Sequence, residues 1–302
     1  MTSGSLAPWQ RRERLLESPP MSASEFGAHA LEPYHVTAHQ QGATPIENAL
    51  VSVLIPAYNE EATLRRVVER VASLPFAVEI VVVDDCSSDA TPEIGEQLAA
   101  ELDNVRFHRR LRNGGKGAAM QDAIRAASGD IVIVQDADLE YDPVDIPRVI
   151  EPLVAGQADV VYGTRLHGGG PQRAHLFSHY VGNKFLSLVA RVLYNTTLSD
   201  LMTGYKAFRT DLVRSFELEE PDFRFDPEIT AKALRTPSVR IYELPISYFG
   251  RTFEEGKKIT WRVAPAILWV LVRERFTAVT YGQRKWGEHL RDQLAASGAP
   301  QA

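Results

Sequence analysis

At 302 residues the chain is long enough for one large α/β domain or one domain with appendages, and its 44% hydrophobic and 24% charged residues are those of an ordinary globular protein. A formal net charge of -6 argues against a general nucleic-acid binder, which needs a basic face for the phosphates. The single cysteine, Cys86, excludes an internal disulfide framework and an all-cysteine metal site, and fits a reducing cytoplasmic setting.

Residues 1–48 are rich in Ser, Ala, Pro, His and Gln without a sustained period, which predicts a disordered extension. Arg11, Arg12 and Arg14 precede no apolar core, so no secretory signal is expected. At Val51 the pattern changes. Val51–Ile55 reads as a buried strand, the Pro56-Ala57-Tyr58-Asn59-Glu60 turn follows, and a helix is predicted over 61–73 with Leu64, Val67, Val68 and Val71 on one face. The unit then repeats. Strand Val78–Val83 ends in Asp84-Asp85, and Ser87, Ser88 and Asp89 are cap candidates for a helix reaching residue 101. A strand over Val105–His108 leads through Asn113-Gly114-Gly115-Lys116-Gly117 to a helix ending near 127. Strand Ile131–Gln135 closes in Asp136-Ala137-Asp138, and a helix near 143–155 and a strand Asp159–Tyr162 follow. Continuous apolar strands between amphipathic helices predict a mostly parallel, Rossmann-like sheet with helices on both faces. Ligands of such sheets bind at the carboxyl ends of the strands, where these polar clusters fall.

Beyond Gly168-Gly169-Gly170-Pro171 a helix is predicted over 177–194, then the stretch Ser199–Lys206, a helix starting near Pro227 and short strands within 239–249. The last strong element, Thr260–Phe276, carries Trp261, Ile267, Trp269 and Leu271, edged by Lys257, Lys258, Arg262, Arg273 and Arg275. Basic flanks with tryptophans suit an amphipathic helix lying in a membrane surface, and the same helix suits docking on the core. No run reaches the ~18 apolar residues that span a bilayer, so the chain is expected to be soluble or peripheral.

Asp136 and Asp138 are the most informative pair. Two carboxylates two residues apart at a strand end can aim at one point if the backbone turns, and hard oxygen ligands suit Mg2+ or Mn2+. Glu140 offers a third ligand. Such an ion bridges a donor's phosphates and stabilises the charge on a departing diphosphate. Asp85 suits a nucleobase edge or a ribose hydroxyl, and Asp84-Asp85 equally suits a helix cap. Lys116 among glycines can cradle a phosphate, although Gly117 after it breaks the P-loop pattern. No Gly-x-Gly-x-x-Gly follows the first strand, which speaks against a dehydrogenase.

Taken in order, Val-Leu-Ile-Pro-Ala-Tyr-Asn-Glu-Glu (53–61), Val-Val-Val-Asp-Asp-Cys-Ser-Ser-Asp (81–89), Asn-Gly-Gly-Lys-Gly (113–117) and Asp-Ala-Asp-Leu-Glu (136–140) resemble family 2 glycosyltransferases. Val-Tyr-Gly-Thr-Arg (161–165) and the 248–259 stretch narrow the resemblance to the dolichol-phosphate or polyprenyl-phosphate sugar transferase branch. The resemblance implies a GT-A type fold and inverting transfer of a hexose from a nucleoside diphosphate sugar of the GDP-mannose or UDP-glucose type. It implies that Pro56, Tyr58, Glu60 and Asp85 hold the nucleoside and that Asp136 and Asp138 bind the metal. Lys116, Asp136 and Ala137 join the donor side. Glu140 departs from the branch, which often has Gln there.

Arginine's planar fork suits phosphate oxygens, and the resemblance to the lipid-phosphate branch implies that Arg165 and Arg251, with Arg173 in the 166–176 loop, meet the acceptor phosphate and the donor diphosphate. The choice of acceptor turns on a base. A sugar hydroxyl needs one, whereas a phosphate monoester, with a second pKa near ~6, arrives anionic. Asp200, Asp226 and Glu228 are the carboxylates available as a base, and Asp200 can instead orient Lys206 or the sugar, while Asp226 can cap the helix at Pro227. Asp138, Arg165 and Asp200 are thus expected at the reacting centre. A soluble small-molecule acceptor and a non-catalytic nucleotide-sugar binding module remain open. The expected organisation is a catalytic domain over 49–250, an acceptor loop and amphipathic helix over 251–282, and a polar tail over 283–302.

Overall fold

The computed structural model describes residues 48–166, 177–251 and 263–296. Residues 1–47 of the extension read over 1–48, the 167–176 and 252–262 segments (with Arg173, Lys257, Lys258, Trp261 and Arg262) and residues 297–302 lie outside the described residues.

The first half follows the predicted alternation. Strand β1 (Val51–Ala57) leads to helix α1 (Leu64–Ala72), β2 (Val78–Asp84) to α2 (Thr91–Glu101), and β3 (Val105–Arg109) to α3 (Lys116–Ala126). Strand β4 (Ile131–Val134) is followed by a 3-10 turn at Pro143–Asp145, α4 (Ile146–Val154) and β5 (Val160–Thr164). Every residue of β2 is buried, as expected of a strand covered on both faces. The second half contributes α5 (Phe177–Tyr194), β6 (Lys206–Arg209), α6 (Thr210–Arg214), α7 (Phe225–Arg235), β7 (Ile241–Pro245), α8 (Ala264–Phe276) and α9 (Tyr281–Ala296).

The seven strands form one sheet in the order β3-β2-β1-β4-β6-β5-β7. Leu54 of β1 lies in register with Val81 of β2 on one side and Val134 of β4 on the other, both parallel. The chain moves outward from β1 to β3 and returns on the far side at β4, so β1 and β4 flank a topological switch point, the place where α/β sheets open a crevice. Strand β6 runs antiparallel between β4 and β5. Its four residues begin with Lys206, and a strand this short and partly charged leaves no period to read. One apolar layer, with Leu64, Leu98 and Ile150, packs α1, α2 and α4 on one face of the sheet. The other, with Met120, Leu212, Phe225 and Trp286, packs α3, α6, α7 and α9 on the opposite face.

Two C-terminal readings change. Residues 283–296 of the stretch read as a polar tail over 283–302 lie in α9, whose Gln283, Trp286, Gly287 and Leu290 are buried. Their spacing is helical, but charged neighbours dilute the apolar signal, and Gly287 lets the helix approach the Pro237 backbone. Asp226 does not cap α7. It lies inside the first turn, buried, with Oδ1 accepting from Lys206 Nζ at 2.6 Å. Helix α8 docks on the core through Ile267 and Leu271, against Leu186 and Ala190 of α5 and Ala231 of α7.

Truncating Trp286 to alanine should lower unfolding stability by about 3 kcal/mol, the scale for a buried aromatic, whereas Trp269→Ala, at a residue 63% exposed, should stay within about 0.5 kcal/mol. Urea unfolding followed by circular dichroism checks both. Equal, small effects would mean that α9 is not part of the folded core.

Candidate functional site

Strand β4 delivers Asp136, Ala137 and Asp138 to the switch point. Ala137 is buried in the core, and Leu139 takes the left-handed backbone conformation at φ 61°, which is the turn the two carboxylates require. Asn59 after β1 (φ 53°) and Cys86 after β2 (φ 62°) share that conformation. Non-glycine residues held there cost about 1–3 kcal/mol each and collect at functional sites. The loops after β1 and β2 are tied together: Asn59 N–H donates to Ser87 Oγ at 2.9 Å, Ser88 N–H donates to Asn59 Oδ1 at 2.9 Å, and Glu60 N–H donates to Thr91 Oγ1 at 2.8 Å.

Charge at this crevice is arranged in pairs. Lys116, at the start of α3, sets Nζ 2.9 Å from Asp136 Oδ1 and 3.8 Å from Asp226 Oδ2. Asp226 Oδ1 in turn takes Lys206 Nζ, which also donates to the Thr203 carbonyl. Burial lowers the Lys206 pKa, with the two lysines' mutual repulsion adding to it against the pull of Asp226. Gly204 lies against Asp136: a methyl group there would run into Oδ2 and into the Tyr141 ring. Its N–H donates to Tyr141 OH at 2.7 Å.

Asp138 makes no ion pair among the described residues. Burial pushes its carboxyl up to about 7, the neighbouring Asp136 and Glu140 charges push the same way, and the Arg251 charge pulls it down only in part. Glu140, expected as a third ligand, is drawn off: Tyr248 OH donates to Oε2 at 2.6 Å and Arg251 N–H donates to Oε1 at 2.6 Å. Among the described residues no group of three or more His, Cys, Asp or Glu side chains is gathered around one point for a metal. Asp136 and Asp138 nonetheless fit a divalent cation. They are hard oxygen donors, one is already countered by an ammonium group, and the other is raised by burial and by neighbouring carboxylate charge, both of which a cation would offset.

The expected nucleoside side sits at the ends of β1 and β2. Tyr58 is 40% exposed, and Pro56 is half-buried. Asp85 is committed to its own scaffold: Oδ1 pairs with Arg110 Nη1 at 2.5 Å and accepts from Gly114 N–H at 2.9 Å, and Oδ2 accepts from Gly115 N–H at 2.6 Å. It thereby fixes the glycine turn that presents Lys116, where Gly115 sits at φ 92°. Glu60 Oε2 pairs with Arg251 Nη1 at 3.1 Å, which joins the loop after β1 to the segment after β7.

Arg165, one residue past β5 and partly buried, lies beside the fully buried Asp200. Nε donates to Oδ2 and Nη2 to Oδ1, both at 2.7 Å, and Arg165 N–H donates to Oδ2 at 3.1 Å. Nη1 reaches Tyr141 OH at 3.3 Å, and the guanidinium lies 4.9 Å from the centre of the Tyr248 ring. Burial alone would raise the Asp200 carboxyl, yet the Arg165 charge and hydrogen bonds hold it below the usual aspartate value. Glu243 of β7 fixes the turn, accepting from Ser199 N–H at 2.9 Å and Asp200 N–H at 3.1 Å. Asp200 therefore orients Arg165, while Lys206 belongs to Asp226. Glu228, also weighed as a base, is buried with Lys232 at 2.8 Å and caps the Glu219 and Glu220 N–H groups. Tyr141, Tyr205 and Tyr248 were not legible as site residues. Tyr141 stacks on Tyr205 at 4.9 Å and meets Tyr248 at 5.2 Å, through side chains whose aromatic character alone reads as core.

Residues 52–216 match the family model described as Glycosyl transferase family 2. The chain is 32% identical over 211 residues to dolichol-phosphate mannosyltransferase of Pyrococcus furiosus, covering 68% of this chain and 58% of that protein, so it spans less than two thirds of that relative's length. It is 30% identical over 224 residues to undecaprenyl-phosphate mannosyltransferase of Micrococcus luteus, covering 72% of this chain and 91% of that protein. Glucosyl-3-phosphoglycerate synthase from Mycobacterium tuberculosis, solved with Mn2+, UDP and phosphoglyceric acid, superposes with a TM-score of 0.60 at 20% identity, over 76% of this chain and 80% of that chain. The last likeness is one of fold, and it agrees with the GT-A architecture that the motifs implied.

The buried Arg165–Asp200 pair makes a prediction of its own. Asp200→Asn leaves the guanidinium without its counter-charge and should cost about 3–5 kcal/mol, whereas Asp200→Asn combined with Arg165→Met should cost less than the single change. Denaturant unfolding of the two variants decides it, and a double variant less stable than the single one contradicts the pairing.

Proposed function

The chain belongs to glycosyl transferase family 2, and from that membership we propose that it moves a hexose from a nucleoside diphosphate sugar to a polyprenyl phosphate at a membrane surface. The donor is of the GDP-mannose or UDP-glucose type. The protein works as a peripheral enzyme on the cytoplasmic face.

One observation carries the choice of acceptor: an exposed apolar face on two helices beside the site. Val181, Phe185, Leu188 and Val192 of α5 recur at helical spacing and are exposed, with Phe185 at 53% and Val192 at 75%. On α8, Trp269, Val272 and Phe276 do the same. The opposite sides of both helices pack on Leu201, the residue after Asp200. Helix α5 carries Lys184 and Arg191 and no acid, and the one acid of α8, Glu274, is buried with Arg273 at 2.7 Å. A basic apolar face on a chain of net charge -6 matches an anionic lipid surface. No helix among the described residues is long and apolar enough to cross a membrane.

The carboxylates support the same reading. Asp200, Asp226 and Glu228 are all bound to cations, so none is poised to take a proton from a hydroxyl. A phosphate acceptor needs no base. Its oxygen bonds to the anomeric carbon as the bond to the diphosphate breaks, with inversion. Asp136 and Asp138 would hold a Mg2+ or Mn2+ ion, which stabilises the charge on the departing diphosphate. Lys116 meets the same phosphates from the start of α3. Arginine has five N–H donors, and Arg165 spends three on Asp200 and Tyr141. The remainder, with Arg251, receives the acceptor phosphate.

Purified protein with Mn2+, a donor panel and a short-chain polyprenyl phosphate should yield a lipid-linked sugar, and Asp138→Ala should reduce the rate by at least about a thousandfold. Product on a soluble hydroxyl acceptor but none on polyprenyl phosphate would overturn the acceptor reading. Donor binding without turnover on any acceptor would make the chain a binding module.

Phe185→Glu combined with Trp269→Glu should abolish flotation with vesicles containing phosphatidylglycerol. Transfer to a water-soluble short-chain polyprenyl phosphate should stay within about twofold, because exposed residues outside the core rarely change a site. Unchanged flotation would remove this face from the membrane contact.

A further inference from the structure

Lys116 lies between two carboxylates, and the two contacts differ. Its Nζ is 2.9 Å from Asp136 Oδ1 and 3.8 Å from Asp226 Oδ2. Asp226 Oδ1 is taken by Lys206 at 2.6 Å, while Oδ2 has Lys116 as its charged neighbour. Lys206 is buried completely and anchored a second time on the Thr203 carbonyl, so Asp226 is held in place from the inner side. The row therefore alternates in sign: Asp136, Lys116, Asp226, Lys206. Its outer member is the carboxylate at the metal position, and its inner member cannot move without stranding a buried charge.

We propose that Lys116 stands in for the divalent cation at Asp136, and that Asp226, fixed by Lys206, is the carboxylate to which Lys116 retreats when the cation arrives. This rests on the reading of Asp136 and Asp138 as metal ligands. The ammonium group and the cation would compete for Asp136 because each neutralises the same carboxylate. A lysine released into water would lose its ion pair and make metal binding costly. Asp226 offers it a second partner less than a side-chain rotation away. Lys206 and Asp226 are then positioning residues: they touch neither metal nor substrate, and they set how readily Asp136 is given up. The exchange also ties two events together, since the metal that engages Asp136 leaves Lys116 free to turn toward the donor's phosphates.

The readout is Mn2+ affinity without nucleotide, measured on the full chain by the electron paramagnetic resonance of the free ion. Lys116→Met removes the competitor and should bind Mn2+ about fivefold more tightly than the unaltered chain, the scale of one ion pair. Lys206→Met combined with Asp226→Asn removes the receiving carboxylate and its counter-charge together, so that no buried charge is stranded, and should weaken Mn2+ binding about threefold. With Lys116 also changed to Met, the retreat no longer matters, and the triple variant should bind like Lys116→Met alone. Simple loss of a positive charge predicts otherwise: the neutral double change would leave affinity as it was in either background. An unaffected or additive double variant overturns the exchange while the metal reading stands. Lys116→Met at unaltered affinity also overturns it, and this single variant, at a residue that is only partly buried, keeps the test open if the double variant does not fold. Absence of Mn2+ binding in every variant, Lys116→Met included, overturns the metal reading and the exchange with it.

Discussion

The Lys116–Asp136 ion pair sits where the sheet delivers more negative charge than the protein can neutralise. Asp136, Asp138 and Glu140 lie within five residues of chain, and two of them follow directly from the position of a buried strand end. Each meets a different fate. Asp136 takes an ammonium group at 2.9 Å, Glu140 takes a phenol and a backbone N–H, and Asp138 is left with a carboxyl raised to about 7. Without the lysine, the Asp136 carboxylate would lose the ion pair that offsets its neighbours' charge. Charge that is incompletely balanced at a crevice is what allows a cation to bind there with gain rather than mere exchange of partners.

The surrounding framework keeps this balance from relaxing. Asp85 clamps the turn at Gly114 and Gly115, so Lys116 cannot drift with its loop. Tyr141 links three parts: its hydroxyl receives Gly204 N–H and a guanidinium N–H of Arg165, and its ring stacks on Tyr205. Tyr205 OH in turn donates to Gln135 Oε1 at 2.5 Å, one residue before Asp136. The donor end of the sheet and the Arg165–Asp200 pair are therefore joined through buried hydroxyl groups, whose removal would leave unpaired polar atoms in a dry interior. A shift at β5 is felt at β4.

Much of the donor half could be read from the chain because its determinants are local. A buried strand ending in Asp-x-Asp, a glycine turn before a helix and hydrophobic spacing at 3.6 residues all lie within a few residues of one another. Lys116 and Asp136, both at motifs legible in the chain, pair at 2.9 Å. What escaped reading depends on pairing across long separations. Lys206 meets Asp226 twenty residues on, and Glu140 meets Tyr248 at a separation of 108. Nothing in the neighbourhood of Asp200 says that its partner is Arg165 rather than Lys206. Strand β6 escaped for the same reason, since its four residues are strand only because β4 and β5 bracket them. In α9 the apolar stripe is present but lies among charged residues.

The acceptor half obeys a different rule. Helix α5 buries Leu186 and Ala190 on one side and exposes Val181, Phe185, Leu188 and Val192 on another, so that little of its girth is polar. A helix apolar nearly all round is stable in water only if something covers it, and the protein's own core covers one side. Helix α8 repeats the arrangement with Ile267 and Leu271 inward and Trp269 and Phe276 outward. Two adjacent helices with the same surplus, packed on the residue that follows Asp200, bring an apolar surface beside the Arg165–Asp200 pair. A phosphate carried on a long hydrocarbon presents the complementary combination: a charged head for Arg165 and an apolar tail for the surface beside it. In the function proposed above, that combination, more than any single residue, favours a lipid-borne acceptor over a sugar free in water.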